Sequence, residues 1–186
     1  IGGQTMAYQG RIYVAYDGKN DSVYYKQMKK WTQSDNTSFD FYDAYDLAIE
    51  IVKIKEVDRL REELLKRKLQ ESMSEADVCV LLLTKTTKSY RKLIRWQIDY
   101  AIQSRMPLIV LNVNGIRSVD YDRCPAILRK NLSLHITFEP EVLEYALKRW
   151  PKSHQKHVEK EHAYTIRYSQ DVYEKIKPES ETEETS

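Results

Sequence analysis

Two short runs, Val78 to Leu83 and Leu108 to Leu111, are apolar at every position. A strand with one face in water alternates apolar and polar residues, so unbroken runs separated by a helical segment predict parallel strands in a sheet covered on both sides. Between them Ile94, Ile98, Ala101 and Ile102 recur at helical spacing. A helix therefore lays this stripe on the sheet, turns Asp99 and Gln103 outward and carries Gln97 on the shoulder of the stripe. Upstream, Arg11 to Tyr16 is short and β-prone, and the turn and N-cap residues Asp17 to Asp21 lead into a helix from about Ser22 with Tyr24, Met28 and Trp31 on one face. That helix stops before the polar cluster Ser34 to Ser38, and Phe39 to Tyr42 predicts a brief second strand. From Ala44 to Ser72 an apolar stripe begins at Val57, Leu60 and Leu64 and drifts toward Leu65, Leu69 and Met73, predicting one long helix or two joined ones. A polar connection from Asn114 to Asn131 leads to a fifth strand, Leu134 to Phe138, and Glu139-Pro140-Glu141 opens a helix that ends near Trp150-Pro151. The expected class is α/β: a five-stranded parallel sheet with helices on both faces.

A chain of 186 residues suits one domain with a real core. That domain is expected over residues 11–150, followed by a helical extension over 151–178 with a weak helical pattern from Tyr164 to Ile176. Residues 179–186 are acidic, lack apolar anchors and are expected to be disordered. Residues 1–10 read as a lead-in in which Ile1 to Thr5 are left from an expression vector and Met6 is the natural start. The 30 Lys and Arg nearly balance the 28 Asp and Glu, so no one-sign field attracts nucleic acid or anionic lipid. Cys79 in an apolar run and Cys124 before Pro125 suit two reduced thiols better than a disulfide. No apolar run approaches the length needed to span a bilayer and no signal-like segment opens the chain, so the expectation is a soluble, cytoplasmic protein without a membrane partner.

In open parallel sheets ligands bind outside the carboxyl ends of the strands, where strand order reverses. The exits here are Tyr16, Asp17 and Gly18, then Asp43, then Thr84 to Thr87, then Asn112 and Asn114. Thr84-Lys85-Thr86-Thr87 offers donors to a phosphate or ribose, although such a turn also serves as a helix cap. Asp17 and Asp43 are single acids, short of the neighbouring carboxylates that a Mg²⁺-dependent receiver site requires, and capping or solvation explains them better. His154-X-X-His157 lacks a third ligand nearby, and no metal or other cofactor is expected. Arg95 and Trp96 turn away from the buried stripe and suit a surface or subunit contact.

The segments Arg11 to Asp17, Ser74 to Thr84, Ile94-Arg95-Trp96-Gln97-Ile98 with Ala101-Ile102, and Pro107 to Asn114 together resemble a TIR domain, most closely the TIR-like proteins of the Thoeris antiphage system. The resemblance covers roughly residues 11 to 115 and is most specific in the aliphatic strand, the Thr turn and the Arg-aromatic-X-Ile helix. It implies a flavodoxin-like α/β fold that cleaves NAD, as substrate, at the nicotinamide glycosidic bond. The product would be a cyclic or modified ADP-ribose signal that activates a separate effector, in response to a phage-derived trigger and within a homo-oligomer. Gln97 stands where the family carries its catalytic Glu, so the resemblance implies an impaired copy, read as a deliberate Glu→Gln replacement in preference to a naturally inactive protein. The nucleotide-contacting loop maps onto Ala15, Tyr16 and Asp17, with Tyr16 as a stacking ring. The loop that completes the site maps onto Asp43 and Tyr45, and Thr84 supplies a further wall. The alternative is a TIR scaffold that assembles or binds partners without turnover.

Overall fold

A computed structural model of the chain describes residues 8–17, 21–34, 37–41, 58–89 and 92–177. Strands β1 (Ile12–Ala15), β2 (Val78–Leu83), β3 (Leu108–Asn112), β4 (Ser133–Thr137) and β5 (Thr165–Arg167) form one parallel sheet in sequential order, β1-β2-β3-β4-β5. The helices are α1 (Ser22–Thr32), α2 (Asp58–Ser74), α3 (Lys92–Gln103), α4 (Ala126–Arg129), α5 (Pro140–Glu159) and α6 (Gln170–Ile176), with a 3₁₀ turn at Thr87–Ser89. Every residue of β2 and β3 is buried, as runs apolar at each position require. Alternate side chains sort into two cores. Ile12, Val14, Val80, Leu82, Ile109 and Leu111 meet α1, α5 and α6 on a first face, whereas Tyr13, Ala15, Cys79, Leu81, Leu83 and Val110 meet α2, α3 and α4 on the second.

Three expectations change. Phe39 and Phe41 are buried on either side of exposed Asp40, yet the described residues 37–41 form no ladder with β1, and Tyr42, the end of the expected second strand, lies outside the described residues. Alternation reports that one face is covered, not that the backbone is paired, and the backbone contact here is Tyr8 N–H to the Ser38 carbonyl at 3.1 Å. The fifth strand instead comes from the stretch read as helical: Thr165, Ile166 and Arg167 pair with Ser133, Leu134 and His135. Three residues are too few to show a period of two, and the helical pattern starts only at Gln170. Finally, α5 does not stop at Pro151 but runs on to Glu159. A helix-interior proline removes one N–H bond at a cost of about 3 kcal/mol. The buried side chains of Trp150 and His154 on either side keep the helix against the core despite that loss.

No strand order reverses among the described strands, so the crevice has another origin. From β1 the chain leaves for α1 on the first face, while from β2 it leaves for α3 on the second. The same divergence recurs between β3, which leads to α4 on the second face, and β4, which leads to α5 on the first. The β2-α3-β3 and β4-α5-β5 crossovers step the same way along the sheet but over opposite faces, so they have opposite hands, against the strong general preference for one.

Both long crossover helices end alike. After α3, Met106 N–H reaches the Ala101 carbonyl and Arg105 N–H the Ile102 carbonyl; after α5, His162 N–H reaches His157 and Glu161 N–H reaches Val158. These are Schellman caps, whose C′ residue sits in the left-handed region, normally a glycine's place. Arg105 at φ 51° and Glu161 at φ 54° occupy it instead. Relieving that strain with glycine outweighs the extra freedom glycine gives the unfolded chain, so Glu161→Gly is expected to stabilise the fold by about 0.5–1 kcal/mol, read from the urea midpoint.

Candidate functional site

The crevice outside β1 and β2 is built from short polar residues that satisfy one another. Thr84 N–H donates to Thr87 Oγ1 at 3.0 Å, Thr86 N–H donates to Thr84 Oγ1 at 3.2 Å, and the Thr87 hydroxyl donates to the Leu82 carbonyl at 3.2 Å. Thr84 Oγ1 lies 3.0 Å from Thr86 Oγ1. This network closes the strand exit on itself through local side-chain to backbone bonds. One hydroxyl reaches across the crevice: Thr86 Oγ1 donates to the Asp21 carboxylate at 3.3 and 3.4 Å, linking the β2 exit to the β1 exit. Asp21 also accepts Asp17 N–H at 3.3 Å. It is buried, and that burial raises its carboxyl pKa, with the Thr84 and Asp17 hydrogen bonds pulling the other way.

Sequence reasoning placed Asp21 in the turn as an N-cap and missed its part in the site. The signal was its position four residues after Asp17, which lets the loop fold back on itself; in the structure its side chain makes no cap bond to α1 and turns to the crevice instead.

Of the residues singled out in advance, Ala15 is buried in the second core and Thr84 is buried within its own turn. Tyr16 is only 4% exposed, its ring stacked on Tyr25 at 4.6 Å and 14°, so the face expected for a base is already covered by a tyrosine. Asp17 is half-buried at the loop entrance. Gly18, Asp43 and Tyr45 lie outside the described residues.

Gln97 is 0% exposed. Its Oε1 accepts the Tyr13 hydroxyl at 2.7 Å and its Nε2 donates to the Leu93 carbonyl at 3.3 Å. Tyr13 is itself fully buried in the middle of β1, so one hydrogen bond ties the first strand to α3 across the second core. Tyr13→Phe takes the donor from a buried carbonyl oxygen and is expected to cost about 1–3 kcal/mol, read by chemical denaturation.

The other candidates resolve simply. Arg95 is exposed and pairs with Asp99 at 3.6 Å, whereas Trp96, expected to turn away from the buried stripe, is half-buried against the second core and stacks on Tyr100 at 5.6 Å. His154 packs on Trp150, while His157 Nδ1 meets His162 Nδ1 at 2.8 Å, a pairing set by their places in the Schellman cap. Among the described residues no group of three or more His, Cys, Asp or Glu is placed to hold a metal ion. Cys79 and Cys124 are both free and buried, with burial pushing each thiol up to about 12, so neither is a poised nucleophile. Among the described residues no helix is long and apolar enough to cross a membrane.

The family model described as Thoeris protein ThsB, TIR-like domain, matches residues 13–118, from β1 to the loop after β3. The chain belongs to this family. No curated protein sequence matches it. Within the TIR-like segment fall Tyr13, Asp17, Asp21, the Thr84 to Thr87 turn and Gln97; β4, α5, β5 and α6 follow it. A role of the TIR-domain kind in antiphage defence follows from that membership.

Proposed function

We propose that this TIR-like domain acts on NAD, breaking the bond between nicotinamide and ribose to produce an ADP-ribose-type signal for a separate antiphage effector, and that Gln97 holds its turnover far below that of a chain with Glu there. Breaking the bond to nicotinamide leaves oxocarbenium-like positive charge on the ribose, which a fixed anion beside the ring stabilises. A water-excluded site strengthens that effect, because the charges are poorly screened there.

The observation that carries the reading is the state of position 97. Its side chain is entirely removed from water and gripped at its oxygen by Tyr13, so a carboxylate in the same place would be oriented by a phenol and surrounded by low dielectric. An amide keeps the shape and loses the charge. On this reading ribose-side chemistry belongs to Gln97, the family resemblance assigns the walls to Asp17, Asp43 and Tyr45, and a second subunit of a homo-oligomer completes the cleft, while Ala15, Tyr16 and Thr84 support it from their buried positions. The experiment is calorimetric titration of the unaltered chain with NAD: saturable heat is the expected result.

A second reading is favoured by one observation. Both polar ends of Gln97 already have partners within the fold, as a residue with a purely structural duty would. On that reading the domain is an assembly scaffold, and titration with NAD or ADP-ribose yields no heat.

A further inference from the structure

A cavity lies where the loop after β3 meets the exit of β5 and the start of α6. It measures about 520 Å³ and is lined by Arg117, Ser118, Arg167, Ser169, Gln170 and Tyr173, with an adjoining hollow of about 300 Å³ that shares Ser118 and Arg167. Among the described residues no carboxylate lines either one. The nearby acids are engaged elsewhere or outward: Glu139 pairs with Lys177 at 2.7 Å, Glu174 accepts Gln170 Nε2 at 3.0 Å, and Asp171 is exposed on α6.

The cavity is held ready rather than merely charged. Asn112, fully buried at the end of β3, donates its Nδ2 to the carbonyls of Ile116 and Ser118 at 2.7 and 2.8 Å, which pins the loop carrying Arg117. Arg117 lies over the Tyr173 ring at 4.3 Å and donates Nη1 to Gln170 Oε1 at 2.6 Å, so its planar fork is oriented with further N–H donors to spare. Tyr173 is anchored in turn, its hydroxyl accepting Thr137 N–H at 3.4 Å. Arg167 ends β5, is exposed, and has no ion pair among the described residues.

We propose that this cavity binds the phosphate group of a small phosphorylated molecule. Two guanidinium groups match a tetrahedral oxyanion by charge-assisted, fork-like hydrogen bonds, and the serine hydroxyls add neutral donors. The phosphate fills only part of the space, leaving room for what it is attached to. The site is independent of Gln97 and the NAD reading, because it lies at the opposite side of the sheet from β1.

The test is a nuclear magnetic resonance titration of the ¹⁵N-labelled full chain with inorganic phosphate, pyrophosphate and adenosine diphosphate, against sodium chloride at matched ionic strength. Saturable shifts of the Ser118 and Ser169 amides are expected, with Arg167→Gln and Arg117→Gln each weakening binding by about tenfold and the remote Lys88→Gln leaving it unchanged. Tightest binding of the inorganic anions assigns the site to phosphate itself, and tightest binding of the nucleotide assigns it to a phosphate ester; both support the proposal. The absence of saturable shifts with all three anions overturns it. So does binding as tight after Arg167→Gln as before it, since that exposed substitution leaves the core intact.

Discussion

Gln97→Glu is expected to raise nicotinamide release from NAD by about 10²- to 10³-fold, the usual worth of a single electrostatic catalytic group. The same substitution should also leave a mark on stability that identifies where the charge has gone. Gln97 Nε2 donates to the Leu93 carbonyl at 3.3 Å, and an ionised carboxylate in that place would present an acceptor to an acceptor. Burial at 0% exposure adds a desolvation penalty, so the new carboxyl has its pKa raised. A raised folded-state pKa means that the variant keeps its stability below the unfolded value of about 4.3 and loses it as pH rises through the folded one.

Destabilisation at neutral pH that eases on acidification, together with faster nicotinamide release, is thus the joint signature. Tyr13 opposes part of the penalty, since its hydroxyl is 2.7 Å from the oxygen and donates more strongly to an anion. Chromatography of the reaction mixture measures release, and circular dichroism confirms that the variant is folded. A folded Gln97→Glu protein that releases no nicotinamide under any condition removes the enzymatic reading and leaves the scaffold.

Acid should unfold this protein through two histidines. Burial holds His135 and His154 at about 4 instead of the ordinary 6.5, with neighbouring His157 adding to the effect on His154. His135 faces the second core from β4 with its Nε2 3.2 Å from Ser133 Oγ, and its Nδ1 has no hydrogen-bond partner among the described residues. The unfolded chain takes up these protons first, so stability is complete above about pH 6.5 and falls as pH drops toward 4, by up to about 3 kcal/mol for each histidine. Asp21 works the other way. Its raised pKa contributes stability at low pH that is lost as pH rises, and this blunts the acid end of the curve. His135→Asn should flatten the loss between pH 6.5 and 4 by about one histidine's share. Urea midpoints measured across that range check it, and an unchanged slope would mean that His135 is not the group being charged.

Much of the architecture could be read from the residues because β2 and β3 are apolar at every position, a pattern that parallel strands covered on both faces nearly dictate. The helix between them was equally legible in its stripe of Ile94, Ile98 and Ala101, but Gln97, expected on the shoulder of that stripe, is fully buried, because its amide is satisfied by Tyr13 from β1. Strand β5 was not, since three residues with half-buried or exposed side chains carry almost no periodic signal. The course of α5 was misread at Pro151, where a local rule about proline yielded to the packing of Trp150 and His154. At the site, the Thr turn was read either as ligand donors or as a helix cap, and its hydroxyls bond within the turn and back to the Leu82 carbonyl. Asp21 escaped because the use of its carboxylate depends on Thr86, 65 residues away, and no local pattern encodes such a partner.

The limits of the family match also bear on how the protein can be divided. Residues 13–118 include three strands but leave out Val142, Leu143, Ala146, Leu147 and Trp150 of α5, which fill the first core. A fragment trimmed at Ser118 would bare the β3 edge and the oily underside of β1 to β3 together, an invitation to self-association. Anyone shortening this polypeptide for expression should therefore cut no earlier than the end of β5, because recognisable homology and cooperative folding stop at different places along it.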